Sequence, residues 1–174
     1  ARLMAGKTGY DIVVPGAHFA AKQIKGGLLQ PLNRDLLPNW KNLDPAILEK
    51  LAQSDPGNRH LVNWMWGFVT VGINPDKVKA ALGGLPMPDN PLDLVFKPEY
   101  ASKVKSCGLH VLDSASEVVP VAMLYAGKPG YSSVAKDYDA AYEVLARARP
   151  YITRISSPGP ISEYANGSLC VSLG

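Results

Sequence analysis

Gly108-Leu109-His110-Val111-Leu112-Asp113, taken together with the residues after it, decides the fold class. The run, short and mostly apolar, predicts a strand from Gly108 to Asp113. A helix is expected from about Ser116 to Tyr125. Another is expected from Asp137 to Arg149, with Ala140, Ala141, Val144, Leu145 and Ala148 on one face. Tyr151 to Ile155 then predicts a strand, Ile161 to Ala165 a short helix closing at Asn166-Gly167, and Leu169 to Leu173 a last strand. Strands alternating with helices predict α/β layers.

Working outward toward the N-terminus, Pro98 to Ser106 and Pro75 to Leu82 predict helices, the second stopped by Gly83-Gly84. The segment from Leu61 to Asn74 predicts extended chain. If it is a strand, Trp64 and Trp66 share a face, and their size makes core the expected place for them. Asp55-Pro56-Gly57-Asn58 predicts a turn. Asp44-Pro45 supplies a cap and a first-turn proline for a helix through Leu48 and Leu51. His18 to Lys25 predicts a helix ended by Gly26-Gly27, and Tyr10-Asp11-Ile12-Val13-Val14-Pro15 a buried strand. Ala1 to Gly6 predicts the last turn of a helix, and Cys170 to Gly174 a strand with nothing after it. Domain edges usually fall in polar linkers, so the sequence is expected to be a piece of a longer protein.

The 15 prolines and 16 glycines among 174 residues fit many short elements and argue against a coiled coil. Net charge is +3 with basic and acidic residues interspersed, so no basic block marks a nucleic-acid face. The uncharged stretch from His60 to Pro75 is shorter than the roughly 20 apolar residues of a membrane-spanning helix.

Three catalytic patterns fail on context. Ala1-x4-Gly6-Lys7-Thr8 resembles a phosphate loop, but a helix should come after that loop, and a strand is expected instead. Ser133-Val134-Ala135-Lys136 and Lys7-Thr8-Gly9 fit a penicillin-interacting set in the wrong order, with no Ser-Asp-Asn after the serine. His18, His60 and His110 lack metal-helix spacing and are expected to be structural or surface residues. Nothing assembles a nucleophile, base and orienting group, so no enzyme, no metal and no cofactor are expected. Cys107 and Cys170 allow one disulfide without proving it.

Several segments in order carry a resemblance. They include Thr8-Gly9-Tyr10-Asp11-Ile12-Val13-Val14-Pro15, Leu37-Pro38-Asn39-Trp40-Lys41-Asn42-Leu43-Asp44, Met65-Trp66-Gly67 and Gly72-Ile73-Asn74-Pro75-Asp76-Lys77-Val78-Lys79. Phe96-Lys97-Pro98-Glu99, Lys105-Ser106-Cys107-Gly108, Arg149-Pro150 and Ala165-Asn166-Gly167 continue the series. Together they resemble the periplasmic polyamine-binding proteins of bacterial ABC importers, especially those for putrescine, across essentially the whole chain.

The resemblance implies a type II-like periplasmic solute-binding fold whose two α/β lobes close on a polyamine. Residues 1–66 match part of the first lobe and 67–174 the second-lobe segment after the hinge crossing. It also implies that the family's aromatic N-terminal ligand strand and its later tryptophan and aspartate lie outside this stretch. Glu117 matches a family carboxylate that receives an ammonium group. Gly16, Ala17, His18 and Phe19 match the loop that touches the ligand. Gly16 stands where a serine is common, and His18 at a position that varies with polyamine preference. A polyamine needs carboxylates at fixed separation and apolar walls, which fits such a set. Read without the family, Glu117 is a surface charge, or a cap paired with Ser114 in a capping box. Likewise His18 is a first-turn helix residue and Phe19 core.

The family also has a disulfide at the positions of Cys107 and Cys170. It would close a loop of about 60 residues, worth roughly 4 kcal/mol in the chain-entropy account, and an oxidising periplasm permits it. The expectation is thus a periplasmic polyamine-binding component, or a truncated form, delivering ligand to a membrane ABC permease. The alternative is a stand-alone α/β module that binds no polyamine and self-associates as a homodimer.

Overall fold

The computed structural model describes residues 2–157 and 161–174. Its chain divides into two compact units, Ala1–Gly67 and Phe68–Gly174.

The second unit is built on a four-stranded sheet. Strands β1 (Val71–Ile73), β2 (Leu109–Leu112), β3 (Arg154–Ser156) and β4 (Val171–Leu173) lie in the order β1-β4-β2-β3. Neighbours β4, β2 and β3 run parallel, and β1 is antiparallel to β4. Alternation sorts the side chains. Leu109, Val111, Val171 and Leu173 are buried against the helices, whereas Ser172, His110 and Arg154 share the opposite face.

The helical layer begins with α4 (Pro75–Leu82), α5 (Asp93–Phe96) and α6 (Pro98–Val104), and continues in α7 (Ala115–Tyr125) and α8 (Ala135–Ala148), whereas α9 (Ile161–Ala165) lies on the opposite face, with Tyr164 against Gly72. Asn74 caps α4 through its side chain, Pro75 fills the first helical position, and Gly83 ends the helix in the left-handed conformation. Helix α7 packs on α8, and α5 on α6. Val78, Leu94, Val95, Val104, Met123, Val144 and Ala148 bury their side chains between these helices and the sheet.

Cys107 and Cys170 are joined in a disulfide with Cα atoms 5.5 Å apart, as the resemblance implied. Between them the backbone is also stitched, because Cys170 and Val171 both donate to the Gly108 carbonyl at 3.0 and 3.1 Å. Gly108 has φ +98°, and a Cβ there would run into the carbonyl oxygen of Ser168, so only glycine fits.

The first unit holds α1 (Arg2–Ala5), α2 (Ala17–Lys25) and α3 (Pro45–Leu51), joined by 3-10 turns and loops. Ala1, the first residue of the expected opening turn, lies outside the described residues. Asp44 caps α3 by accepting from Ala46 and Ile47, as its Asp-Pro start predicted. The segment Tyr10 to Pro15 is not a strand. It is irregular chain with a bend at Asp11, and Ile12 is 84% and Val14 71% exposed. A strand must hand its backbone groups to a neighbour, and the described residues of this unit contain none. Trp64 and Trp66 likewise lie in irregular chain and are 75% and 66% exposed, contrary to the expected core position.

Candidate functional site

Glu117 sits in the first turn of α7, just beyond the carboxyl end of β2. Ligands of open α/β sheets bind outside this edge of the strands. Here the edge is sewn together by the backbone. Asp113, which comes directly after β2, donates its N–H to the Ser156 carbonyl on β3 at 3.2 Å, and the Ser157 hydroxyl donates to the Asp113 carbonyl at 3.3 Å. Thr70 and Gly174 exchange two backbone hydrogen bonds at 3.1 Å, closing β1 against the end of β4.

The capping box open to Ser114 and Glu117 does not form. Ser114 occupies the N-cap but its hydroxyl meets that of Ser116 at 3.3 Å rather than a helix amide. Glu117 is exposed, and among the described residues its carboxylate takes no hydrogen bond or ion pair. A carboxylate so placed is favoured by the helix dipole and can accept from an ammonium's three donors. Pro120, in the second turn, removes one helical N–H.

Gly16, His18 and Phe19 come together in the first unit. Gly16 is the extended N-cap of α2, and its carbonyl accepts from Phe19 and Ala20 at 2.9 and 3.0 Å. The His18 ring folds against Phe19 with centroids 4.1 Å apart. A Cβ at position 16 would lie 3.3 Å from the His18 ring, so glycine there gives the imidazole its room. Phe19 is exposed rather than core, and with Leu3, Met4, Lys22 and Leu28 it lines a depression of about 260 Å³.

A cavity of about 650 Å³ opens at the other, amino, edge of the sheet, beside Cys107 and Gly108. Its charged lining residues are Lys77 and Lys105, whose ammonium groups donate to the carbonyls of Gly167 and Pro150. Two cations and no carboxylate make it unsuitable for a polyamine. Sequence reasoning missed Asp113 and Ser157 as edge residues. Their signal is position alone, each being the first polar residue past a strand.

No protein-family model matches the chain. It is 48% identical, over all of its length, to a putrescine-binding periplasmic protein of Pseudomonas aeruginosa, of which it covers 47%. It is 44% identical over 99% of its length to a putrescine-binding periplasmic protein of Escherichia coli, again covering 47%. The chain is thus similar, along its whole length, to proteins named as putrescine-binding periplasmic proteins. It spans about half the length of these curated relatives. Among solved structures it resembles a spermidine/putrescine ABC transporter substrate-binding protein of Streptococcus pneumoniae. The TM-score is 0.74 over 98% of this chain and 49% of the other, at 21% identity, which speaks for the shared fold.

Proposed function

We propose that this chain is part of a periplasmic polyamine-binding component of an ABC importer, with putrescine or spermidine as ligand. What carries the reading is the match along the whole chain to proteins named for binding putrescine. Residues 1–66 belong to the first lobe, and 67–174 to the second. Glu117 receives one ammonium group from its exposed position at the carboxyl edge of the sheet. Gly16, His18 and Phe19 are the ligand contacts proposed for the first lobe. The ligand's methylene spine then lies against apolar groups, and Phe19 is an exposed ring available for that. The task is binding rather than catalysis, and the partner is a membrane permease.

The second reading, a self-associating module without polyamine affinity, draws support from exposed Ile12, Val14, Trp64 and Trp66.

Calorimetric titration of the chain with putrescine, spermidine and spermine tests the choice. Micromolar binding weakened about 10- to 100-fold in Glu117→Gln, the worth of one charged hydrogen bond, is expected. A folded chain that gives no heat with any of the three, and elutes as a dimer, favours the second reading.

A further inference from the structure

Strand register lays a polar row across one face of the sheet in the second unit. Gly72 on β1 pairs with Ser172 on β4, Ser172 with His110 on β2, and His110 with Arg154 on β3. His110 is completely buried, yet both its ring nitrogens are engaged. Nδ1 lies 2.7 Å from the Ser172 hydroxyl, and Nε2 lies 3.1 Å from the Ser156 carbonyl and 3.2 Å from the Ser156 hydroxyl. A carbonyl only accepts, so Nε2 carries the hydrogen of the neutral ring, and Nδ1 accepts from Ser172.

Helix α9 is fastened at both ends of this row. At one end Tyr164 donates its hydroxyl hydrogen to the Gly72 carbonyl at 2.6 Å. At the other end Glu163 pairs with Arg154, whose Nε also donates to the Ser156 hydroxyl at 3.2 Å. The histidine thus lies in the middle of the contacts that hold the helix to the sheet.

We infer that this row is an acid-sensitive latch, in which protonation of His110 releases α9 from the sheet. A second proton on the ring turns Nδ1 into a donor. The Ser172 hydrogen must then swing away from the ring, and a full charge is left without water in the sheet. Burial is the leading influence and disfavours the charged ring, and Arg154 on β3 adds repulsion. The Ser156 carbonyl and Glu163 on α9 favour the charge but do not outweigh the burial, so His110 is held below its ordinary 6.5. Tyr164 on α9 also faces the row, its hydroxyl held at the carbonyl of Gly72, which pairs with Ser172. Because the native value lies below the unfolded one, the unfolded chain takes up the proton first. Stability is complete above pH 6.5 and falls as pH drops toward the native value.

The test is a proton NMR titration of the whole chain from pH 8 to 4.5, following the His110 ring and the Tyr164 ring. The expected result is a His110 midpoint below 6.5, with Tyr164 moving at the same midpoint. Unfolding of the second unit, followed in urea through the Val111 and Leu173 methyls, should become about tenfold more favourable for each unit of that depression. His110→Gln should remove the dependence. A His110 midpoint at or above 6.5, or a Tyr164 ring unmoved while His110 protonates, overturns the latch. Should His110→Gln fail to fold, the titration of the unaltered chain still decides.

Discussion

Asp55, 1% exposed, gathers a loop around one carboxylate. Its two oxygens accept from the His60 amide at 2.7 Å, the Leu61 amide at 2.9 Å and the His60 ring at 3.0 Å. Burial alone would raise its pKa, but these hydrogen bonds outweigh burial and hold it below the ordinary 3.8. A depressed acid stabilises the fold above its unfolded value, and that contribution is lost as pH falls through the native one. All three tryptophans, Trp40, Trp64 and Trp66, belong to the same unit, so their fluorescence reports on it. Asp55→Asn should lower that unit's stability by about 1–3 kcal/mol at pH 7. Its urea midpoint should also change less than that of the unaltered chain below pH 3.8, and equal slopes would refute the assignment. In the second unit, burial and the 2.7 Å hydrogen bond to Asp93 push the Tyr125 hydroxyl up to about 12. Tyr125→Phe should cost about 1 kcal/mol, read as a shift in the urea midpoint.

At the scale of elements, the junction before β2 concentrates several constraints. Gly108→Ala combines positive φ with a collision against the Ser168 carbonyl, and should cost more than the roughly 1 kcal/mol of an ordinary helical Gly/Ala exchange. A thermal melt showing an unchanged midpoint would contradict it. Reducing the disulfide, which links residues 63 apart, should destabilise the second unit by roughly 4 kcal/mol. Elements in this unit were legible because each carried local marks: Asn74-Pro75 before α4, Gly83 after it, and the Ala141, Val144, Ala148 stripe on α8. The four-residue α5 had no room for a period, and β3 starts later than expected because Arg149–Tyr151 first makes a 3-10 turn. Tyr10 to Pro15 misled for another reason. Branched apolar residues state a preference for a pleated, half-buried surface, but the partner that completes it is distant in sequence. Glu117 was readable as a first-turn carboxylate. Which strand ends surround it depends on the β2–β3 and β1–β4 pairings, which no local pattern records.

For the whole molecule, the core is unevenly shared. Nearly all fully buried apolar side chains, among them Leu94, Leu109, Met123 and Leu173, lie in the second unit, while the first keeps Ala20 and the polar Asp55. Urea unfolding followed by tryptophan fluorescence should therefore precede loss of the second unit's methyl signals, and coincident transitions would contradict this. The relatives are about twice as long, so polyamine capture is a property proposed for this stretch together with the rest of such a chain. The most direct measurement grafts residues 1–174 into the Pseudomonas aeruginosa relative in place of the matched half, then titrates the folded chimera with putrescine. The account predicts binding that falls about 10- to 100-fold on Glu117→Gln in the graft. A folded chimera that ignores putrescine, or binds equally well without the Glu117 carboxylate, would contradict it.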